Sequence, residues 1–316
     1  MKKNLLIGAI TTYIWEDVAP FFNSYVRAGF ENCDCVMFVS NMSAKTIEKI
    51  KSCGVTIYQI PERYNGKCIN DYRWEIYADF LKDKRENYDM IFTADVRDTF
   101  FQHDVFKHYN SSKPFLGIAL EDGKLSEPIN KKWLITRYGE PIYEELKEYP
   151  IICTGTVFGT AEKFLDFSLN MTENLNSNKY NYFNVSDQAA GNFLIYHDKM
   201  FADCLVKNYN ESGFIMTIGI TNRENVKLDS NDNVLNGKGE IAAVVHQYDR
   251  LPDVTRKIIT KYCPDINFLY YDIFMLKRPG FIWRFVRYCY RIRKIGLLKA
   301  LYITVRKRLP GWKNFA

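Results

Sequence analysis

The segment 88–102, Tyr-Asp-Met-Ile-Phe-Thr-Ala-Asp-Val-Arg-Asp-Thr-Phe-Phe-Gln, carries the densest potential chemistry in this chain. An apolar run, Met90 to Ala94, ends in two carboxylates three residues apart, Asp95 and Asp98, with Arg97 between them. In a continuing strand the two would face opposite sides, whereas a turn at Val96-Arg97 brings them together. Converging carboxylates repel unless a cation sits between them, so a hard divalent ion such as Mg²⁺ or Mn²⁺ is the natural third party. An ordinary Asp-rich turn, with both side chains capping backbone N–H groups and pairing with Arg97, accounts for the same spacing. A second apolar run, Ile241 to Val245, ends in His246, which reads as a hydrogen-bonded structural histidine or as a third metal ligand. Asp187, followed by Gln188, opens a helix-period segment, where a carboxylate complements the helix dipole.

Apolar runs and helix-period segments alternate through the first 120 residues. Leu5–Ile10, Cys35–Val39, Val55–Ile60, Met90–Ala94 and Phe115–Leu120 read as strands, several apolar on both faces as in a covered parallel sheet. Glu16–Ala28, Ala44–Ser52 and Asn70–Leu81 read as helices, with Ser43 as the N-cap of the second and a stripe Tyr72, Glu75, Ile76, Asp79, Phe80 on the third. The alternation implies crossover connections and an α/β sandwich. Further along, Glu140–Glu148, Ala161–Asn174 and Asp187–Tyr196 read as helices, Ile151–Gly159, Gly213–Ile220 and Ile241–Val245 as strands, and Asp229–Gly239 as a hairpin-like turn. In a covered sheet of this kind, ligands bind beyond the carboxyl ends of the strands, where Asp95 and Asp98 fall.

Composition bounds the classes. With 316 residues, 47% hydrophobic, 16% aromatic and 25% charged, the chain is globular and is neither disordered nor collagen-like. Residues 277–316 hold 12 Lys/Arg and no acid, which leaves 31 basic against 37 acidic residues in 1–276. A basic tail on an acidic body points to anionic lipid and away from nucleic acid. In the tail Arg284, Arg287, Arg291 and Lys294 recur at helical spacing beside Phe281, Phe285, Tyr288, Ile292 and Ile295. At ~1 kcal/mol per basic residue, those four would contribute ~4 kcal/mol to docking on an anionic leaflet. A helix packed on the catalytic domain or on a second copy accounts for the same stripe. The N-terminal apolar run stops at Thr11 with no cleavage site after it and reads as a strand, and no run reaches the ~18 residues needed to span a bilayer. These features place the protein in the cytoplasm, held to the inner face of the membrane. The eight cysteines are scattered without CxxC spacing and read as reduced, mostly buried thiols.

The run Thr93–Thr99 resembles the DxD motif of nucleotide-sugar glycosyltransferases of the GT-A fold, in the stretched DxxD form of bacterial capsule, lipopolysaccharide and exopolysaccharide enzymes. The resemblance extends over about residues 4–250. It implies a Rossmann-like mixed sheet flanked by helices, a transferase domain over 1–276 with a donor half to about 120 and an acceptor half beyond it, and the tail from 277. It further implies that Asp95, Asp98 and His246 hold Mn²⁺ or Mg²⁺. Thr11, Thr12 and Tyr13 after the first strand, Ser40 after the second, and Asp95 would contact the donor nucleotide. Cys153 to Gly159 resembles the acceptor-side N-x-G strand of retaining members, with Cys153 in place of Asn, so that Gly155, Thr156 and Gln188 face the acceptor. Asp187 would orient the acceptor or stabilise the sugar cation, with Arg97 assisting the leaving group. The activity so implied is transfer of a hexose from a UDP-sugar, such as UDP-galactose or UDP-glucose, to a cell-surface glycan or lipid-linked acceptor, with retention favoured. The competing readings are a non-catalytic scaffold of polysaccharide assembly and a sugar nucleotidyltransferase. The latter requires a Gly-rich, Arg-containing phosphate loop that Gly8-Ala9-Ile10-Thr11-Thr12 does not supply.

Overall fold

Strands that are apolar on both faces can only be buried between two layers, and that constraint builds the molecule. The computed structural model describes residues 2–64, 67–108, 113–177, 187–266, 285 and 289. In β1 (Lys3–Thr11), Leu5, Leu6, Ile7 and Ile10 are all fully buried. Leu5 and Ile7 join a core cluster on one face of the sheet, Leu6 and Ile10 a second cluster on the other. Period-two alternation divides β2 (Cys33–Ser40) and β4 (Tyr88–Ala94) in the same way.

With β3 (Thr56–Gln59), β6 (Leu116–Lys124), β7 (Pro150–Thr160) and β8 (Leu205–Asn208), these strands form a seven-stranded sheet of order β3-β2-β1-β4-β7-β6-β8. The first four are mutually parallel, as the helical crossovers α1 (Trp15–Ala28), α2 (Ala44–Lys51) and α3 (Ile69–Lys84) require. β7 runs antiparallel to both β4 and β6, and β6 is parallel to β8, so the sheet is mixed. The four-strand parallel half is Rossmann-like. α6 (Ala161–Asn176) and α7 (Asp187–Tyr196) pack with α3 on one face, and α1 and α2 cover the other.

Ser43 is the N-cap the sequence predicts for α2, and a further cap closes α1. Ser43 Oγ accepts from Thr46 N at 3.2 Å, and Gly29 ends α1 at φ +64, a left-handed conformation open to glycine without cost.

A second, three-stranded sheet of order β5-β12-β9 pairs β12 (Val244–His246) antiparallel with β5 (Thr99–Phe101) and parallel with β9 (Ile215–Thr217). The turn expected over 229–239 does not join the strands that flank it, since β9 and β12 pair in parallel; it holds instead a small local hairpin of β10 (Lys227–Leu228) and β11 (Val234–Leu235), whose turn is held by Asp229 Oδ1 accepting from Asn231 N and Asn233 N. The expected strand over 213–220 is shorter because Gly213 N donates to Tyr209 O in a turn. The strand expected from Ile241 starts at Val244 and takes in His246.

α4 (Pro128–Tyr138) has no sequence counterpart above: its buried residues are Asn130, Leu134 and Arg137, so it shows no apolar stripe. α5 (Glu140–Leu146) follows it, and α8 (Pro252–Tyr262) packs on α1, with Asn23 Nδ2 donating to Tyr262 O at 2.8 Å. On α3 the buried face runs through Tyr72, Arg73, Trp74, Ile76, Tyr77, Ala78 and Leu81, which corrects the stripe through Glu75 and Asp79.

The chain divides into two compact units, Met1–Cys263 and Pro264–Ala316. In the second, Phe285 and Cys289 are helical and exposed, while Phe281, Arg284, Arg287, Arg291 and Lys294 lie outside the described residues. Among the described residues no helix is long and apolar enough to cross a membrane. All eight cysteines are free, and only Cys35, Cys153 and Cys263 are buried, so buried thiols are the minority.

Candidate metal centre

Asp95 follows the last residue of β4, and its N–H donates to Gly155 O at 2.8 Å, which ties it to β7. The turn at Val96-Arg97 then reverses the chain into β5, immediately before which stands Asp98. Register in the small sheet does the rest. His246 pairs with Thr99, and Gln247 N donates to Asp98 O at 2.7 Å, so the end of β12 lies against the residue that precedes β5. Segments about 150 residues apart in sequence thereby converge. His246 Nε2 is 3.7 Å from Asp95 Oδ2 and 3.8 Å from Asp98 Oδ1.

β7 makes the room. Its ladder with β6 jumps from Ile118↔Val157 to Ala119↔Cys153, leaving Thr154, Gly155 and Thr156 as a bulge. A Cβ on Gly155 would stand 2.5 Å from His246 Cε1 and 2.9 Å from both His246 Nε2 and Asp95 Oδ2, so glycine is the residue that leaves this space open.

The donor set fits a divalent cation. One ligand atom from each of Asp95, Asp98 and His246 lies within 4.8 Å of the others. Two ligands ~2.1 Å from a shared ion stand ~3 to 4.2 Å apart, which matches the separations from Nε2. His246 is 1% exposed and its Nε2 has no hydrogen-bond partner, an arrangement that a buried polar atom tolerates only with a ligand or water to meet it. Burial raises the Asp98 pKa, against the pull of His246 and Arg97. Burial acts on Asp95 in the same sense, but there the Arg73 charge and His246 prevail and hold the carboxyl well below the usual range. Burial disfavours a charged His246, yet Cys153 and the two carboxylates raise its pKa well above the ordinary value. A cation bound by the three would take the place of that proton.

Asp95 is completed by a residue with no apparent role in the sequence. Arg73, 5% exposed on α3, gives Nη1 to Asp95 Oδ1, Nη2 to Thr154 O at 3.0 Å, and Nε to Asp187 Oδ2 at 2.9 Å, with a further short contact from Nη2 to Asp187. Trp74 Nε1 also donates to Asp187 Oδ2, at 3.1 Å. Asp187 is thus 2% exposed at the start of α7 and joined to the centre through Arg73. The available signal was a charged residue between two aromatics, Tyr72 and Trp74. On the other side, Arg97 Nη2 is 3.3 Å from Asp98 Oδ2 and 2.9 Å from Asp249 Oδ2, and Arg250 touches both Asp98 and Asp249. Glu121 is 7% exposed, with Gln247 Nε2 donating to its Oε1 at 3.4 Å.

The remaining sequence candidates fall at two places. Thr11 and Ser40 are register partners at the carboxyl ends of β1 and β2, with Ser40 Oγ donating to Thr11 Oγ1 at 2.9 Å. Thr12 follows at φ +64, its N–H donating to Ser40 O at 3.2 Å. Tyr13 is half-buried in the field of Arg97, Asp98 and Asp95, and burial pushes its phenol up to about 12. Thr156 lies fully buried in the bulge with no partner for Oγ1. Gln188 is turned to α4, where Nε2 donates to Asn130 Oδ1 at 2.9 Å. A scan against protein-family models returns no match to this chain, and a search of curated proteins returns no significant one.

Proposed function

We propose that this chain is a metal-dependent hexosyltransferase that moves a sugar from a nucleoside diphosphate donor, of the UDP-glucose or UDP-galactose class, to a hydroxyl of a glycan or lipid-linked acceptor. The observation that carries the reading is the Asp95, Asp98 and His246 cluster, with an unpartnered Nε2, at the carboxyl end of a parallel strand. In sheets of this kind that edge is where nucleotides bind, and Thr11, Thr12, Tyr13 and Ser40 share it. Mn²⁺ or Mg²⁺ bound by the three side chains would neutralise the negative charge that grows on the departing diphosphate. Arg97 stands beside Asp98 to add positive charge on the same side. Asp187 is buried and paired with Arg73 and Trp74, so its part in this reading is to fix Arg73 against Asp95 rather than to face the sugar as a free charge.

Hydrolysis of UDP- and GDP-sugars, with and without Mn²⁺, tests the reading. Wild-type protein is expected to cleave a UDP-sugar only with the metal, and Asp98→Ala to lose at least 100-fold in rate, since an uncompensated leaving group forfeits several kcal/mol, ~1.4 per tenfold. Near-normal turnover by Asp98→Ala, or none of any sugar nucleotide by wild type, would sink it, the second result favouring a scaffold.

The basic 277–316 segment is proposed to hold the enzyme on an anionic leaflet beside a lipid-linked acceptor. Full-length protein should sediment with anionic vesicles at low salt, and a chain ending at Leu276 should remain in solution. Equal sedimentation of the two would remove the segment from that role.

A further inference from the structure

A histidine that ligates through Nε2 carries its ring proton on Nδ1, so the group facing Nδ1 decides whether the ligand is presented. In most metal sites that group is a carboxylate or a backbone carbonyl. Here it is a thiol: Cys153 Sγ is 3.4 Å from His246 Nδ1, and Cys153 is 1% exposed. Cys153 stands where the β7 bulge begins, register partner of Ala119, so its placement follows from the same distortion that opens the space at Gly155. On β6, Glu121 is buried two residues beyond Ala119, the register partner of Cys153, and its carboxyl accepts from Gln247, the residue after His246. Buried polar groups of β6, β7 and β12 thus gather behind the metal cluster, and the other nitrogen of the His246 ring is the orphaned Nε2.

We infer that Cys153 is a positioning residue for His246: Sγ accepts the Nδ1 proton, the thiol's own proton is held by Glu121, and the Nε2 lone pair is turned toward Asp95 and Asp98. This rests on the metal reading of those three residues and adds the device that presents one of them. A thiol is a weak acceptor and a weak donor, so the relay sets the tautomer and the ring plane without a second full charge beside the imidazole. Two requirements follow for position 153: a side chain that both accepts and donates, and one small enough for a buried strand. Serine meets both. Valine, close to cysteine in size, meets only the second.

The test uses the full-length chain, with metal affinity measured in the absence of any sugar nucleotide. Mn²⁺ titration, read by the signal of the free ion, is expected to show Cys153→Val binding ~10- to 100-fold more weakly than wild type, the usual cost of losing such a partner, with Cys153→Ser within a few-fold of wild type. With Zn²⁺ as a diamagnetic probe, ¹⁵N-labelled histidine should show His246 protonated at Nδ1 and ligated at Nε2 in wild type and in Cys153→Ser. Should Cys153→Val fail to fold, the wild-type and serine spectra decide alone. Equal Mn²⁺ affinity in a folded valine variant, a His246 protonated at Nε2, or absence of metal binding by wild type would each overturn the inference. Metal binding with the expected dependence on position 153, but no turnover of any sugar nucleotide, would overturn the transferase reading and leave this one standing.

Discussion

The metal centre has two walls built on opposite electrostatic plans. On the α3 side, Asp95 and Asp187 share the single guanidinium of Arg73, which spends Nε, Nη1 and Nη2 on them and on Thr154 O. That side is neutralised internally, and the Asp95 pKa is depressed. On the small-sheet side, Asp98 and Glu121 lie by His246, Asp249 lies by Arg97, and the compensating cations, Arg97 and Arg250, are 22% and 36% exposed at the side chain. There the pKa values of Asp98 and Glu121 are raised. A wall whose charges are satisfied within the fold supplies geometry. One whose charges await a counterion supplies binding.

Cutting the cation of each wall should expose that contrast most strongly. Arg73→Ala leaves the buried Asp187 and the partly exposed Asp95 without their partner, a loss of ~3–5 kcal/mol that comes mainly from Asp187, by analogy with other broken buried pairs. Arg97→Ala removes a partly exposed partner while Arg250 still touches both Asp98 and Asp249, and should cost ~1 kcal/mol. Denaturant midpoints of the two variants, measured with metal chelated, provide the comparison. Equal losses would mean that Arg73 is no more structural than Arg97 and that the two walls do not differ.

The walls also differ in how far the sequence announces them. β1, β2 and β4 are apolar on both faces, which only a covered parallel sheet satisfies, and that half is legible residue by residue. Asp95, Asp98 and His246 are legible because polar groups that abruptly end apolar runs stand out. In the small sheet, two strands are legible as apolar runs over 213–220 and 241–245, but β5 at 99–101 is not, and strands of three residues each are too short to show how they pair. Pairing between residues 147 positions apart is what places His246 beside Thr99. Arg73 was concealed for a related reason. A charged residue in a helix reads as solvent-facing, and its burial makes sense only once Asp187, 114 residues on, is known to meet it. Glu121 ends the run Phe115–Leu120 in the same way as Asp95 ends its own, but nothing local marks its partner, since Gln247 comes from a segment 126 residues away.

The smallest expected effect is also the one that separates the walls by sign. Glu121 has a pKa raised by burial, with His246 and its hydrogen bonds only partly opposing. Its native pKa therefore exceeds the unfolded value of ~4.3, and between the two the folded protein binds the extra proton. Stability from this group is fully present below ~pH 4.3 and is lost as pH rises through the native pKa, at ~1.4 kcal/mol per unit of displacement. Asp95 runs the other way: its depressed native pKa contributes stability above the unfolded value of ~3.9, which is lost as pH falls through the native one. Glu121→Gln is neutral at every pH and keeps an acceptor for the Cys153 thiol. With metal chelated, its stability relative to wild type should rise between pH 4 and pH 8. Denaturant unfolding of the two proteins across that range measures the difference. A flat difference would mean that Glu121 titrates as if in water, and a falling one that its cations outweigh its burial, which would make the small-sheet wall as self-compensated as the other.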